Sequence, residues 1–265
     1  MLKPFIPLCS LSFTLCSLWF IFTTKGQSIS SSEHTLALYE DTLIELEHKV
    51  FTSTGGKDDL AKLLLNKNFS LTLERALKTD RSFQYPFDSL KAMARLESPD
   101  KRFRIFNWNI PLSDGTFAYF GFIQSQNQKT KKYDLFPLID KSEEIKNPSN
   151  AATDNNKWYG MLYYKIILKK YRKRTYYTLL AWDGNDKISS KKIIDVLSFN
   201  KKGSPDFGEA IFEIGKQNPK RVIFEYYSSA VMSLKYDEQS EKIILTTLPP
   251  WKLLLKVSIN FMDLT

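Results

Sequence analysis

The sequence predicts an α+β protein: a short N-terminal helical segment followed by a mainly antiparallel β meander, built as a sandwich or a barrel. Three observations lead there. Apolar residues recur at three- and four-residue steps soon after Glu33; from Phe103 onward, runs rich in Tyr, Phe, Ile, Val and Trp alternate with turn clusters; and no helical insert there is long enough for a parallel crossover.

Leu36, Tyr39, Leu43, Leu46 and Val50 mark the first helix, with Glu40, Asp41, Glu45 and Glu47 between them as its polar side. Thr54-Gly55-Gly56 stops it. Asp58 and Asp59 suit the positive end of a second helix running through Leu63, Leu64 and Leu65; Leu71 to Leu77 reads as a third and Asp88 to Arg95 as a short fourth. Strands are expected near 103–110, 117–125, 133–139, 158–170, 174–182, 191–199, 207–214, 221–228, 231–237 and 241–247. The polar, Asn-rich break from Asp140 to Asn156 divides the sheet into two halves. Between Trp158 and Leu168 the even positions form a mainly apolar face, and Lys169 to Arg174 falls where two strands must reverse.

The bulk numbers allow a real core: 43% of the chain is hydrophobic and 14% aromatic. The formal charge is +9, unevenly spread, since residues 33–100 carry twelve acids against nine bases while residues 151–182 alone contribute +6. Such a local excess says little about a global partner. The N-terminus is more informative. After Lys3 no charge occurs until Lys25, the run from Leu8 to Phe22 is apolar, and Thr24-Lys25-Gly26 is a small-residue exit; residues 1–26 read as a secretory signal peptide. A retained signal anchor is the alternative, diluted by Pro4, Pro7 and several Ser and Thr residues. Cys9 and Cys16 both lie inside this segment, so cleavage leaves no cysteine nucleophile and no thiolate metal site. The remaining chain divides into a helical segment, 27–100, an antiparallel β domain, 101–248, and an atypical tail, 249–265.

Motifs for built-in chemistry fail on inspection. His34 and His48 are fourteen residues apart on one helix, about 21 Å along the axis, and cannot share a metal. No histidine follows His48 to serve a catalytic triad. Thr54-Gly55-Gly56-Lys57 lacks the first glycine of a phosphate loop, and Asp58 stands where Ser or Thr would bind magnesium. Asp183-Gly184-Asn185-Asp186 continues into Lys187 without a closing glutamate, which makes it a hairpin turn rather than a calcium loop. No metal and no cofactor is expected.

Three weaker candidates remain. Asp195 and Glu225 each sit in an apolar strand and would be the acid and base of a glycan hydrolase if they faced each other; the plainer reading is a solvent-facing residue or a lysine partner. Lys169, Lys170, Arg172, Lys173 and Arg174 would grip a polyanion, with Tyr171, Tyr176 and Tyr177 for stacking, although a solvated hairpin tip explains them more simply. Trp182, with Trp108 and Trp158, would line a carbohydrate-binding face or else fill the core.

The blocks "SPDKRFRIFNWN", "WYGMLYYKII", "YYTLLAWDGND", "KKIIDVLSF", "FGEAIF" and "RVIFEYYSSAVMSLKYDE", in this order over about 83–248, resemble a family of uncharacterised exported proteins from Bacteroidota. The resemblance implies export and a β-rich body, and brings no activity, cofactor or catalytic residue with it. The tail "PPWKLLLKVSINFMDLT" departs from the family pattern, as a truncated or frame-shifted end would, and leaves the sheet edge unfinished. The expected function is a non-catalytic binding module of the periplasm or exterior, with a carboxylate-dependent glycan hydrolase and polyanion attachment as alternatives. Its expected partners are a cell-envelope glycan or a polyanion, not a specific nucleic acid; a membrane is met only through an uncleaved N-terminus.

Overall fold

The structure is a computed structural model that describes residues 31–52, 58–127, 130–171, 174–212, 217–248 and 255–259. The segment read as a signal peptide, the helix stop expected at Thr54-Gly55-Gly56 and most of the tail lie outside them. Helices α1 (Ser31–Thr52) and α2 (Asp59–Lys78) pack against each other and against the first of three antiparallel sheets. That sheet has the order β1 (Ala94–Glu97), β2 (Phe103–Pro111), β3 (Phe117–Gln126), β4 (Tyr133–Leu138). The second contains β5 (Thr153–Asp154), β6 (Leu162–Tyr171), β7 (Arg174–Asp183), β8 (Ser189–Phe199), β9 (Pro205–Phe207) and β10 (Val222–Tyr227), ordered β5-β9-β8-β7-β6 with β10 also on β8. The third is β11 (Val231–Asp237), β12 (Lys242–Leu248) and β13 (Leu255–Ile259).

Strand alternation explains how these stack. On β2, Phe103 and Ile105 point toward the second sheet, whereas Phe106, Trp108 and Ile110 point toward the helices. On β7, Tyr177, Leu179 and Ala181 meet the first sheet, and Tyr176 and Leu180 meet the third. The result is helices, sheet, sheet, sheet, in four layers with three apolar seams. It is α+β with a sandwich at its centre, and no barrel closes among the described residues. The first sheet ends before the 140–156 break and the second follows it, except that β5 of the second sheet lies inside the break.

Several expectations are corrected. The second and third helices are one, since nothing between Leu65 and Leu71 breaks the run; Asp58 caps it by accepting from the Ala61 N–H at 3.1 Å. The expected fourth helix is a turn leading into β1. Its backbone N–H groups are taken by α1: Glu40 accepts from Ser89, and Glu47 accepts from Lys91 at 3.0 Å and Ala92 at 2.7 Å. Glu40 and Glu47 are therefore buried with Leu36, Leu43 and Val50 rather than solvated. The single apolar face expected from Trp158 to Leu168 is broken by a bulge between Tyr163 and Lys165, which sends Tyr163 and Ile166 to one seam and Ile167 to the other. The strand expected at 207–214 ends at Phe207, where Gly208 turns with φ +83 and lies so close to Ala151 that a Cβ would stand 2.6 Å from its carbonyl oxygen. Within the tail, β13 pairs with β12. Among the described residues, no helix is long and apolar enough to cross a membrane.

Candidate functional site

Asp195 and Glu225 do not meet. Asp195 lies on β8 between Ile193 and Leu197, all three on the seam facing the first sheet, and it is 0% exposed. Its Oδ2 accepts from Arg221 Nη2 at 3.1 Å and from the Tyr163 hydroxyl at 3.4 Å, and its Oδ1 from the Val196 N–H at 2.9 Å. Trp158 Nε1 donates to that same hydroxyl, and Arg221 Nη1 donates to the Pro148 carbonyl. Burial, and then the Asp195 charge, push the Tyr163 phenol well up. This is a sealed ion pair inside the sandwich, with no substrate access. Glu225 is exposed on β10, opposite Lys191 of β8, and accepts from Ser189 Oγ at 2.5 Å. Two carboxylates facing one glycosidic bond are thus not formed by this pair.

The basic hairpin does exist as β6 and β7, but two of its cations, Lys169 and Arg174, have acidic neighbours. Lys169 Nζ is 2.6 Å from Glu241, and Arg174 Nη2 is 3.7 Å from Glu209. Lys165 likewise meets Glu238, from the same β11–β12 turn as Glu241. Lys170 is exposed, while Arg172 and Lys173 lie outside the described residues. Tyr176 and Tyr177 are buried, so neither offers a stacking face; the Tyr171 side chain lies outside the description. Trp108 and Trp158 are core residues, and Trp182 is half-buried with its ring edge-on to Phe117 at 5.4 Å.

That contact leads to the site that sequence reasoning missed. At one mouth of the sandwich, Phe117 and Tyr119 of β3, Tyr159, Asp183 at the end of β7, Lys191 of β8 and the connector 140–144 line a cleft of about 630 Å³. Asp140 enters it from the connector. Its Oδ1 accepts from Ser142 N at 3.0 Å, Ser142 Oγ at 2.6 Å and Gly160 N at 3.2 Å. Gly160 is obligatory there, because a Cβ would stand 2.3 Å from Asp140 Oδ2. Asp183 Oδ1 accepts from the Tyr119 hydroxyl at 2.9 Å and the Asn185 N–H at 2.8 Å, and its Oδ2 lies 3.4 Å from Lys191 Nζ. Lys191 also donates to Asn185 Oδ1 at 2.5 Å and approaches the Tyr159 hydroxyl at 3.5 Å. Asn185 reaches on to Glu225 at 3.5 Å, so that residue borders the cleft without entering its lining.

The electrostatics suit recognition. Burial works against the Lys191 charge, but Tyr159 and Asp183 outweigh it and raise its pKa. Tyr119 is pushed far up, chiefly by burial and next by the Asp183 charge, so it stays a neutral hydroxyl. The cleft therefore sets the fixed carboxylates of Asp140 and Asp183 beside the Lys191 ammonium and two phenols, with Phe117 as an apolar wall; Asp114, Lys141, Glu143 and Glu144 also line it. No group of three or more His, Cys, Asp or Glu side chains among the described residues is arranged to hold a metal. The clue in the sequence was Trp182-Asp183-Gly184-Asn185, whose aspartate ends a strand and turns inward: Gly184 passes so close to Phe117 that a Cβ would lie 2.1 Å from its ring. Comparison of the chain with protein-family profiles, with curated proteins and with solved structures returned no match.

Proposed function

We propose that the protein is an exported, non-catalytic binding module that holds a hydroxyl-rich ligand, a cell-envelope glycan, in the cleft between Asp140, Asp183 and Lys191. One observation carries this reading: the cleft's acceptors and donors are each fixed by a second protein group before any ligand arrives. Asp183 is held by Tyr119, Asn185 and Lys191, and Asp140 by Ser142 and Gly160. Preorganised carboxylates, a lysine and phenols match the alternating donors and acceptors of sugar hydroxyls, and an aromatic wall suits a sugar's apolar face. Export is supported by the order of residues 1–26. Resemblance to exported Bacteroidota proteins agrees with it.

The test is titration with soluble fragments of peptidoglycan and of outer-surface polysaccharide, followed by calorimetry and by amide chemical shifts. Asp183→Asn and Lys191→Ala should each weaken binding by about tenfold or more, the loss of a charged hydrogen bond. Release of reducing ends during the titration would instead establish the hydrolase.

A further inference from the structure

A second cavity, on the helix-facing side of the first sheet, contains an unusual charge. Arg104 follows Phe103 on β2 and points toward the helices with Phe106; only 8% of it is exposed. Its guanidinium lies between the rings of Phe83, at 5.0 Å, and Phe106, at 4.8 Å. Nη1 donates to the Tyr85 carbonyl at 2.8 Å, and Nη2 donates to the Ser82 carbonyl at 2.7 Å and Gln124 Oε1 at 2.8 Å. Every acceptor is neutral, Nε is buried with no acceptor, and no carboxylate of a described residue forms an ion pair with this side chain. The acid that acts on it, Glu97 opposite on β1, is exposed and makes no ion pair with it; a buried cation without a contacting counter-ion is costly, and the rings and carbonyls offset only part of that cost.

Beside Arg104 opens a cavity of about 630 Å³, lined also by Phe83, Arg95, Leu96, Lys101, Phe106 and Tyr133. Its acids, Asp88 and Glu97, are exposed; Asp88 is 3.8 Å from Arg95 Nη2. The basic groups outnumber the acidic ones, and the buried one is basic. We infer that this cavity takes a small carboxylate carried on an aromatic or aliphatic body. The anion supplies the charge that Arg104 lacks, Lys101 and Arg95 reinforce it, and Phe83, Phe106 and Tyr133 receive the apolar part. The site is separate from the glycan cleft, which lies on the other side of the first sheet.

The experiment is calorimetric titration of the full chain with phenylacetate, and with phenylethanol, phenylethylamine and inorganic phosphate as controls. Phenylacetate is expected to bind with a Kd of about 1 mM or tighter, a normal strength for so small a ligand. The neutral alcohol and the amine should bind at least roughly tenfold more weakly, the cost of losing one charged contact. Arg104→Lys keeps the charge but loses the fork and should abolish most of the affinity. Because that variant disturbs a buried network, Lys101→Ala is the companion: it sits in an exposed turn, should leave the unfolding temperature unchanged, and should weaken phenylacetate several-fold. Equal affinity for phenylacetate and phenylethanol, an unchanged Kd in Lys101→Ala, or no binding of phenylacetate would overturn the inference. Phosphate binding as tightly as phenylacetate would overturn the apolar half of it.

Discussion

Arg221 and Arg104 are both buried guanidiniums in neighbouring layers, yet one has its counter-ion inside the fold and the other does not. Arg221 meets Asp195 at 3.1 Å with both side chains at 0% exposure, and the pair is tied into Tyr163 and Trp158. Arg104 has carbonyls, an amide and two aromatic rings around it, and a cavity at its side. A charge completed internally ties strands of the second sheet and the connector before it together, and offers a ligand nothing. A charge left incomplete beside a cavity is where an outside anion gains most.

The sharpest way to break this comparison is to remove the internal counter-ion. Asp195→Ala leaves Arg221 charged in an apolar seam and should cost about 3–5 kcal/mol in urea denaturation, with much of it recovered in the double change Asp195→Leu with Arg221→Met. Arg104→Met strips no ion pair, leaving the Ser82 and Tyr85 carbonyls and Gln124 Oε1 short of donors, and should cost about 2–3 kcal/mol. Equal or reversed losses would remove the distinction. Glu47→Ala, which deprives the Lys91 and Ala92 N–H groups of their acceptor, should cost about 1–2 kcal/mol and raise amide exchange at those two residues.

Alkaline pH tests the same interior without mutation. Burial raises the pKa of Tyr85, Tyr119, Tyr163, Tyr164 and Tyr177 above the usual phenol value of 10.0. Above that pH the unfolded chain gives up phenol protons that the folded chain keeps, so their contribution to stability declines as pH rises. Arg104 acts oppositely: burial lowers its pKa from 12.5 to about 10, so between those values it contributes stability that grows with pH. Five phenols outweigh one guanidinium, and net stability should fall above pH 10 with the buried tyrosines silent in ultraviolet titration until unfolding. Arg104→Met should steepen that fall. The smallest effect is expected at the surface, where Lys165→Ala, breaking its pair with Glu238, should cost at most about 1 kcal/mol.

Fold class was legible because period-2 runs and turn residues are local signals, and so was the β6–β7 hairpin. What escaped depends on partners far along the chain. Glu40 and Glu47 looked like the wet side of α1; they are buried because the 85–93 loop spends its N–H groups on them, which no periodicity reveals. Asp195 looked like a solvent-facing strand residue because Arg221, its counter-ion, arrives from the segment before β10. The cleft was invisible for the same reason. Asp140 closes the first half of the chain and Asp183 ends a strand of the second sheet, and only the packing of the two sheets brings them to one mouth.

The measurement that bears most directly on the proposed function is an amide chemical-shift titration with envelope glycan fragments, run beside a reducing-end assay. Saturable shifts confined to Tyr119, Asp140, Gly160, Asp183 and Lys191, absent in Asp183→Asn and without product release, are the expected result. Shifts centred on the 169–174 hairpin, or sugar released at the rate of an enzyme, would contradict the account.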